Sequence, residues 1–176
     1  SECREKRFSA GLDLCTGSGI IAITLGLELG IPFDAVDHST LALDYARFNI
    51  ARHQSSSRCH LADVLQPLPF AGKVDLMTIN PPYVASSDMR DLEPEVRDHE
   101  PSAALDGGRD EGTAFLLRGL PLWREALMPE GRLFVEIGAG QADRLRRELP
   151  RTGFSLKAVR RDLAGIERIL CLVPTL

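Results

Sequence analysis

The stretch Gly11-Leu12-Asp13-Leu14-Cys15-Thr16-Gly17-Ser18-Gly19, followed by the apolar run Ile20–Leu25, decides the fold. A short apolar strand enters a loop of small residues, and the loop opens an apolar helix that ends near Gly30. In an open α/β sheet this first β–α turn lies at the carboxyl edge of the strands, where ligands bind. Gly17 and Gly19 allow the backbone to approach a ligand closely, and the start of the helix offers unpaired N–H groups.

A second apolar segment, Phe33-Asp34-Ala35-Val36-Asp37, predicts a short strand that ends in an acid. Asp37 lies 24 residues after Asp13, a spacing that suits a carboxylate binding the two hydroxyls of a ribose. A dinucleotide-binding enzyme shows nearly the same pattern, although this loop has no G-x-G-x-x-G and carries Cys15 where the first glycine would lie. A glycine-rich turn without any ligand is the further alternative.

The tetrapeptide Asn80-Pro81-Pro82-Tyr83 follows a third apolar strand, Val74–Ile79. Two successive prolines remove two backbone donors and fix two φ angles, so the chain leaves the strand rigidly. The side-chain oxygen of Asn80 can accept a hydrogen bond from an NH2 group, and Tyr83 offers a flat face for a planar group. Such a site suits a weakly nucleophilic amide or aromatic amine. A turn that merely ends a strand is the alternative.

Together the two elements resemble the class I S-adenosylmethionine-dependent methyltransferases, through Asp13-x-x-x-Gly17-x-Gly19 and Asn80-Pro81-Pro82-Tyr83. The second motif is shared by enzymes that methylate adenine N6, guanine N2 and glutamine N5. Three later motifs resemble the protein-glutamine N5-methyltransferases, and more closely their release-factor-specific branch (HemK/PrmC type) than their ribosomal-protein branch. These are Glu100-Pro101 with Ala103-Ala104-Leu105 and Gly107-Gly108, Glu136-Ile137-Gly138-x-x-Gln141, and Asp162-Leu163-x-Gly165-x-x-Arg168. The resemblance covers roughly residues 10–171.

This resemblance implies S-adenosylmethionine as the cofactor. The backbone from Cys15 to Gly19 would hold its methionine end, and Asp37 would bind the ribose hydroxyls with His38 packing on the adenine. Asp63 matches the position that contacts the adenine amine, and Val64 follows it. The expected cofactor-binding residues are Cys15, Thr16, Gly17, Ser18, Gly19, Asp37, His38, Asp63, Val64 and Asn80; no metal ligand is expected.

Asn80, Pro81 and Tyr83 are the candidate catalytic residues. The side-chain oxygen of Asn80 and the carbonyl of Pro81 can each accept one N–H of a target carboxamide, while Tyr83 packs on the amide plane. This arrangement aligns the nitrogen with the methyl carbon and favours the positive charge that develops on it. No general base is assigned, because the proton becomes strongly acidic once the nitrogen is methylated. The expected substrate-binding residues are Asn80, Pro81, Pro82, Tyr83 and Glu100.

Composition narrows the class of protein. A chain of 176 residues that is 44% hydrophobic suits one globular domain. A net charge of −4 differs from the basic face typical of nucleic-acid enzymes, so direct nucleic-acid binding is not expected. The cysteines lack metal-ligand spacing and indicate a cytoplasmic protein with reduced thiols. No apolar run approaches the ~20 residues of a membrane helix. The expected partner is a protein substrate, a release factor or alternatively a ribosomal protein.

Alternating strand and helix patterns predict a Rossmann-like α/β fold with a seven-stranded, mostly parallel sheet and helices on both faces. The resemblance implies the strand order 3-2-1-4-5-7-6 with the seventh strand antiparallel. Strands are predicted near 8–14, 32–37, 57–62, 73–79, 131–137, 154–160 and 167–173, and helices near 19–29, 39–53, 111–127 and 140–149. Residues 84–110 lack periodicity, which is typical of a lid or binding loop.

Residues 10–176 are predicted to form the methyltransferase domain, and residues 1–9 are interpreted as a linker remnant or the end of an expressed fragment. Release-factor enzymes usually carry a helical domain of several dozen residues before the cofactor motif. The chain is therefore interpreted as a fragment, or as a chain that acts without that substrate-docking part. Two further functions stay open: an adenine or guanine amino-methyltransferase acting on nucleic acid, and an inactive cofactor-binding module that needs a partner.

Overall fold

The computed structural model describes residues 7–68 and 73–175, which contain nine strands and six α-helices. The strands are β1 (Gly11–Leu14), β2 (Phe33–Asp37), β3 (Arg58–Leu61), β4 (Val74–Ile79), β5 (Val84–Ala85), β6 (Asp106–Gly108), β7 (Leu127–Glu136), β8 (Phe154–Arg161) and β9 (Glu167–Pro174). The helices are α1 (Ile20–Leu29), α2 (Thr40–Arg52), α3 (Pro94–Arg97), α4 (Ser102–Leu105), α5 (Ala114–Ala126) and α6 (Ala142–Glu148). None of the helices in these ranges combines the length and apolar character needed to cross a membrane.

Seven of the strands form one sheet in the order β3-β2-β1-β4-β7-β9-β8. The pairs from β3 to β7 are parallel, whereas β9 is antiparallel to both of its neighbours. Counted along this sheet alone, the order is 3-2-1-4-5-7-6, which confirms the predicted topology. The chain turns outward in opposite directions from β1 and β4, so a crevice opens beyond their carboxyl ends.

Apolar layers cover both faces of the sheet, as expected for parallel strands that read as continuous apolar runs. All four residues of β1 are buried. On one face α5 packs through Leu116, Leu120 and Trp123, and the indole N–H of Trp123 donates to the Val64 carbonyl at 2.8 Å. This bond ties α5 to the loop after β3, which contains two of the predicted site residues.

The predicted first strand, residues 8–14, is too long at its start. The backbone N–H groups of Ser9 and Ala10 donate to the Asp75 carboxylate at 2.9–3.1 Å, so they are not available to a strand ladder. Asp75 lies 65 residues after Ala10, and a local sequence pattern carries no sign of that contact. The ladder therefore begins at Gly11.

The stretch 84–110, predicted as an aperiodic loop, contains short regular elements. Strands β5 and β6 pair in parallel as a separate two-stranded sheet, and helices α3 and α4 lie between them in the chain. Each of these helices has four residues and each strand two or three, which is too short to give a periodic pattern. The predicted helix 111–127 begins only at Ala114, because Asp110, Glu111 and Gly112 all adopt positive φ.

Candidate active site

Asp13 connects the two loops that meet at the crevice. Its side chain is 1% exposed, and its carboxylate oxygens accept hydrogen bonds from the hydroxyls of Thr16 and Thr78, each at 2.6 Å. Thr16 belongs to the loop after β1, and Thr78 lies two residues before Asn80. Asp13 belongs to the motif Asp13-x-x-x-Gly17-x-Gly19, but the sequence alone assigns it no role. The sequence did contain one sign of such a role, because Asp13 is the only charged residue in the apolar strand Gly11–Leu14.

Burial raises the pKa of Asp13 from 3.8 to about 6, because a charged carboxylate is poorly solvated inside the protein. The hydrogen bonds from Thr16 and Thr78 lower this pKa in part, and the nearby negative charge of Asp37 raises it. At neutral pH Asp13 is therefore mostly ionised, but it takes up a proton at a higher pH than an exposed carboxylate does.

The loop after β1 is tightly curled, with positive φ at Cys15 (53°), Gly17 (56°) and Gly19 (80°). The curl brings the Gly17 N–H to an Asp37 carboxylate oxygen at 2.9 Å, linking this loop to the end of β2. A cysteine in the left-handed region is uncommon and indicates that surrounding contacts fix the backbone there. Burial raises the pKa of the Cys15 thiol well above its usual range, so the thiol remains protonated.

A cavity of about 230 Å³ lies against this loop and brings together most of the predicted cofactor residues. Thr16, Ser18 and Gly19 do not line it. Thr16 faces Asp13, and the Ser18 carbonyl accepts from the Asn49 side chain at 2.9 Å. The predicted cofactor residues that line the cavity are Cys15, Gly17, Asp37, His38, Asp63, Val64 and Asn80, and Pro82, predicted to bind the substrate, lines it too. The remaining lining residues were not predicted to bind either ligand, and they are Ser39, Ala42, Pro101, Ala103, Ala104 and Phe115.

Two carboxylates supply the cavity with hydrogen-bond acceptors. Asp37 is 7% exposed and accepts from the backbone N–H groups of Gly17 and Ser39, each at 2.9 Å. Asp63 accepts from the Leu65 N–H at 2.9 Å. Because a carboxylate offers about four acceptor positions, both groups retain capacity for a ligand hydroxyl or amine. The described residues contain no group of three or more His, Cys, Asp or Glu side chains arranged to hold a metal.

The Asn80-Pro81-Pro82-Tyr83 segment leaves β4 at the mouth of this cavity. Both prolines are buried, whereas Asn80 is exposed, and its side chain makes no hydrogen bond to residues 7–68 or 73–175. The Asn80 amide is thus available to a ligand. Asn80 and Pro82 line the cavity, whereas Tyr83 lines a different cleft of about 490 Å³.

Tyr83 is half-buried among charged side chains. Burial raises the pKa of its phenol, the negative charge of Glu136 raises it further, and Arg168 opposes that effect. A smaller increase comes from Glu100, which places this exposed carboxylate near the tyrosine although it does not line the cofactor cavity. The phenol therefore remains neutral at physiological pH. Of the predicted substrate residues, Asn80 and Pro82 line the first cavity, Tyr83 lines the cleft beside it, and Glu100 lines neither.

A third cavity, of about 380 Å³, lies between α1 and the strands β4, β7 and β9. Its lining is mostly aliphatic or aromatic, with Ile20, Leu25 and Phe134 among its side chains, and its polar members are Thr24, Thr78 and Glu136. A polar nucleoside would find few partners there, so the cavity beside Asp37 is the better candidate for a cofactor.

The family model of the methyltransferase small domain matches residues 2–94, more than half of the chain. The chain belongs to this family. Sequence comparison gives a relative described as the release factor glutamine methyltransferase of Geobacter sulfurreducens, 38% identical over 168 residues. The match covers 95% of this methyltransferase chain and 58% of that protein. The chain therefore spans little more than half the length of this curated relative.

Solved methyltransferase structures share the fold. A methyltransferase from Pyrococcus furiosus superimposes with a TM-score of 0.73 at 16% identity, over 98% of this chain and 79% of that one. The magnesium protoporphyrin IX methyltransferase of Synechocystis PCC 6803, solved with bound S-adenosylmethionine, gives 0.63 at 16% identity, over 94% and 69% of the two chains. This methyltransferase domain therefore has the class I fold, with a seven-stranded mixed sheet.

Proposed function

We propose that this methyltransferase domain transfers a methyl group from S-adenosylmethionine to the side-chain amide nitrogen of a protein glutamine, the glycine-flanked glutamine of a peptide-chain release factor. The observation that carries the proposal is the position of Asn80-Pro81-Pro82-Tyr83. This segment borders the cavity that contains Asp37 and Asp63, so an amide held at Asn80 lies next to the predicted cofactor. The similarity to a release factor glutamine methyltransferase supports the choice of substrate.

The residues around the cavity suit S-adenosylmethionine, which supplies a methyl group bound to a positively charged sulfur. Asp37 would accept the ribose hydroxyls with the lone pairs that Gly17 and Ser39 leave free. Asp63 would accept the adenine amine, between Val64 and the exposed ring of His38. Thr16, Ser18 and Gly19 would act indirectly, by maintaining the curl of the loop that carries Cys15 and Gly17.

Asn80 and Tyr83 would hold the target carboxamide. An amide nitrogen is a weak nucleophile because its lone pair is delocalised into the carbonyl. The Asn80 side-chain oxygen and the Pro81 carbonyl each accept one N–H, and the neutral ring of Tyr83 packs on the amide plane. Positioning of this kind can lower a barrier by about 7–11 kcal/mol in favourable cases. The two oxygens also favour the positive charge that develops on the nitrogen.

The proposal has consequences for partners and location. Residues 10–176 act as the catalytic domain, and the protein works in the cytoplasm, where its substrate is a release factor. A ribosomal protein is the alternative substrate with the same chemistry. Glu100, whose negative charge raises the pKa of Tyr83, would contribute its carboxylate to the surface that receives the substrate.

The test offers tritiated S-adenosylmethionine together with a release factor, its Gln→Ala variant, a ribosomal protein, duplex DNA or ribosomal RNA. We expect label in the release factor and none in its Gln→Ala variant. Label in nucleic acid, or label that persists in the Gln→Ala protein, contradicts the glutamine assignment. Cofactor binding without transfer to any of these substrates favours the inactive-module alternative.

A further inference from the structure

Gln141, the residue before α6, uses its buried side-chain amide to join three separate segments. The side chain is 6% exposed. Its NH2 group donates to the carbonyls of Tyr83 at 2.8 Å and Glu111 at 2.7 Å, and its oxygen accepts from the Gly138 N–H at 2.8 Å. These partners lie after β4, before α5 and after β7. Both donors and the acceptor of one amide are therefore engaged.

The backbone of Tyr83 is enclosed closely on the same side. A Cβ atom at Gly107 would lie 2.8 Å from the Tyr83 Cα, and one at Gly112 would overlap the Tyr83 carbonyl oxygen. A Cβ at Gly138 would lie 3.3 Å from the ring atom Cδ2. Three glycines thus allow neighbouring backbone to press against the tyrosine. The hydrogen bond from Gln141 fixes the direction of the carbonyl within that tight surrounding.

We propose that Gln141 is a positioning residue for methyl transfer, which holds Tyr83 in the orientation needed to pack on the target amide. This inference rests on the proposed function for its effect on turnover. The position requires an amide, because two carbonyls need two N–H donors and one N–H needs an acceptor. Leucine would leave three backbone groups without their partner, and a carboxylate would face two carbonyl oxygens without a proton to donate. Gln141 does not line the cofactor cavity, so its effect should spare cofactor binding.

The experiment uses the fact that the chain contains two tyrosines, Tyr83 and Tyr45. Tyr45 is 60% exposed on α2 and provides an internal control. After 3-fluorotyrosine incorporation, we expect the Tyr83 fluorine resonance to shift or broaden in both Gln141→Leu and Gln141→Glu, while the Tyr45 resonance stays unchanged. The exposed Gln66 supplies the matched control Gln66→Leu, which should leave both resonances unchanged.

Kinetics on the release factor provide the second measurement. We expect kcat to fall about 10- to 100-fold in both Gln141 variants, as for other small displacements of a reacting group, with KM and the Kd for S-adenosylmethionine changed less than twofold. An unchanged Tyr83 resonance with parental kcat overturns the proposal. A loss of cofactor affinity equal to the loss of kcat also overturns it, since a general structural role would have that effect.

The two proposals can fail separately. If the parent protein methylates no glutamine, the proposed function fails, and the fluorine spectra alone still decide whether Gln141 orients Tyr83. If Gln141→Leu does not fold, Gln141→Glu decides, because it keeps the length of the side chain and the acceptor for the Gly138 N–H.

Discussion

Replacing Asp13 with asparagine should remove a pH dependence from the stability of the protein. In the parent, burial raises the pKa of Asp13 from 3.8 to about 6. Between these two pH values the folded protein holds a proton that the unfolded chain has released. The free energy of unfolding contributed by this group therefore falls as the pH rises from about 4 to about 6, and is constant above that. At about 1.4 kcal/mol per pKa unit the total change is about 3 kcal/mol.

An asparagine keeps the shape of the side chain but does not ionise. It can still accept from one threonine hydroxyl with its oxygen, and it can donate to the other with its NH2 group. We therefore expect the stability of Asp13→Asn relative to the parent to increase by roughly 2 kcal/mol of that total between pH 4 and pH 7.5, because the unfolded carboxyl is still partly protonated at pH 4. Both proteins share every other titrating group, so the difference between their pH profiles isolates this carboxyl.

Urea unfolding, followed by the fluorescence of the single, buried tryptophan Trp123, measures the free energy at each pH by linear extrapolation. The control is Asp91→Asn, which removes a carboxylate exposed to water and should follow the parent profile. Parallel profiles for Asp13→Asn and the parent would refute the reasoning, because they would mean that folding does not desolvate this carboxylate. A difference of opposite sign would mean that the two threonine hydroxyls outweigh burial.

Three further substitutions address the proposed site. Asn80→Ala should lower turnover about 100-fold. The urea midpoint should stay near the parental value, because the amide makes no hydrogen bond to the described residues, and most cofactor affinity should remain, because Asp37 and Asp63 are still present. Single-turnover transfer of tritium measures the loss, and turnover within a few-fold of the parent would exclude the clamp. Tyr83→Phe should retain most activity in the same assay and Tyr83→Ala should not, since the ring face does the packing. Asp37→Ala should weaken S-adenosylmethionine binding ten- to a hundred-fold, about 1.5–3 kcal/mol for a charged acceptor; equal affinity by calorimetry would remove Asp37 from the site.

The sheet could be predicted because its strands are signalled locally. The buried parallel strands are short continuous apolar runs, and the spacing of turns and helices between them sets the α/β alternation. The start of β1 could not be predicted from the sequence, because it depends on a residue distant in the chain. The N–H groups of Ser9 and Ala10 donate to the Asp75 carboxylate and so do not join the strand. The small sheet of β5 and β6 was missed because two- and three-residue strands have no measurable period.

The same distinction applies to the candidate site. Gly17, Asp37 and Asn80 were predicted because a loop, a strand end or a proline pair marks each of them in the sequence. The roles of Asp13 and Gln141 depend instead on distant partners. Asp13 accepts from a threonine 65 residues away, and Gln141 donates to a carbonyl 58 residues away. A single sequence shows that such a side chain can donate or accept hydrogen bonds, but it does not show which distant residue is the partner.

These long-range contacts fix the backbone around Asn80, whose side chain makes no hydrogen bond within residues 7–68 and 73–175. On the N-terminal side of Asn80, the Thr78 hydroxyl donates a hydrogen bond to Asp13. On the C-terminal side two prolines are followed by Tyr83, whose carbonyl accepts a hydrogen bond from Gln141. The backbone is therefore fixed before and after Asn80 by contacts that do not use the Asn80 side chain. An internal hydrogen bond to that amide would steady it equally well, but it would occupy the donor or acceptor that a substrate amide needs. Fixing the neighbours leaves the hydrogen-bonding capacity of the Asn80 amide available at the crevice, which is what the proposed role of Asn80 in holding a weakly nucleophilic nitrogen requires.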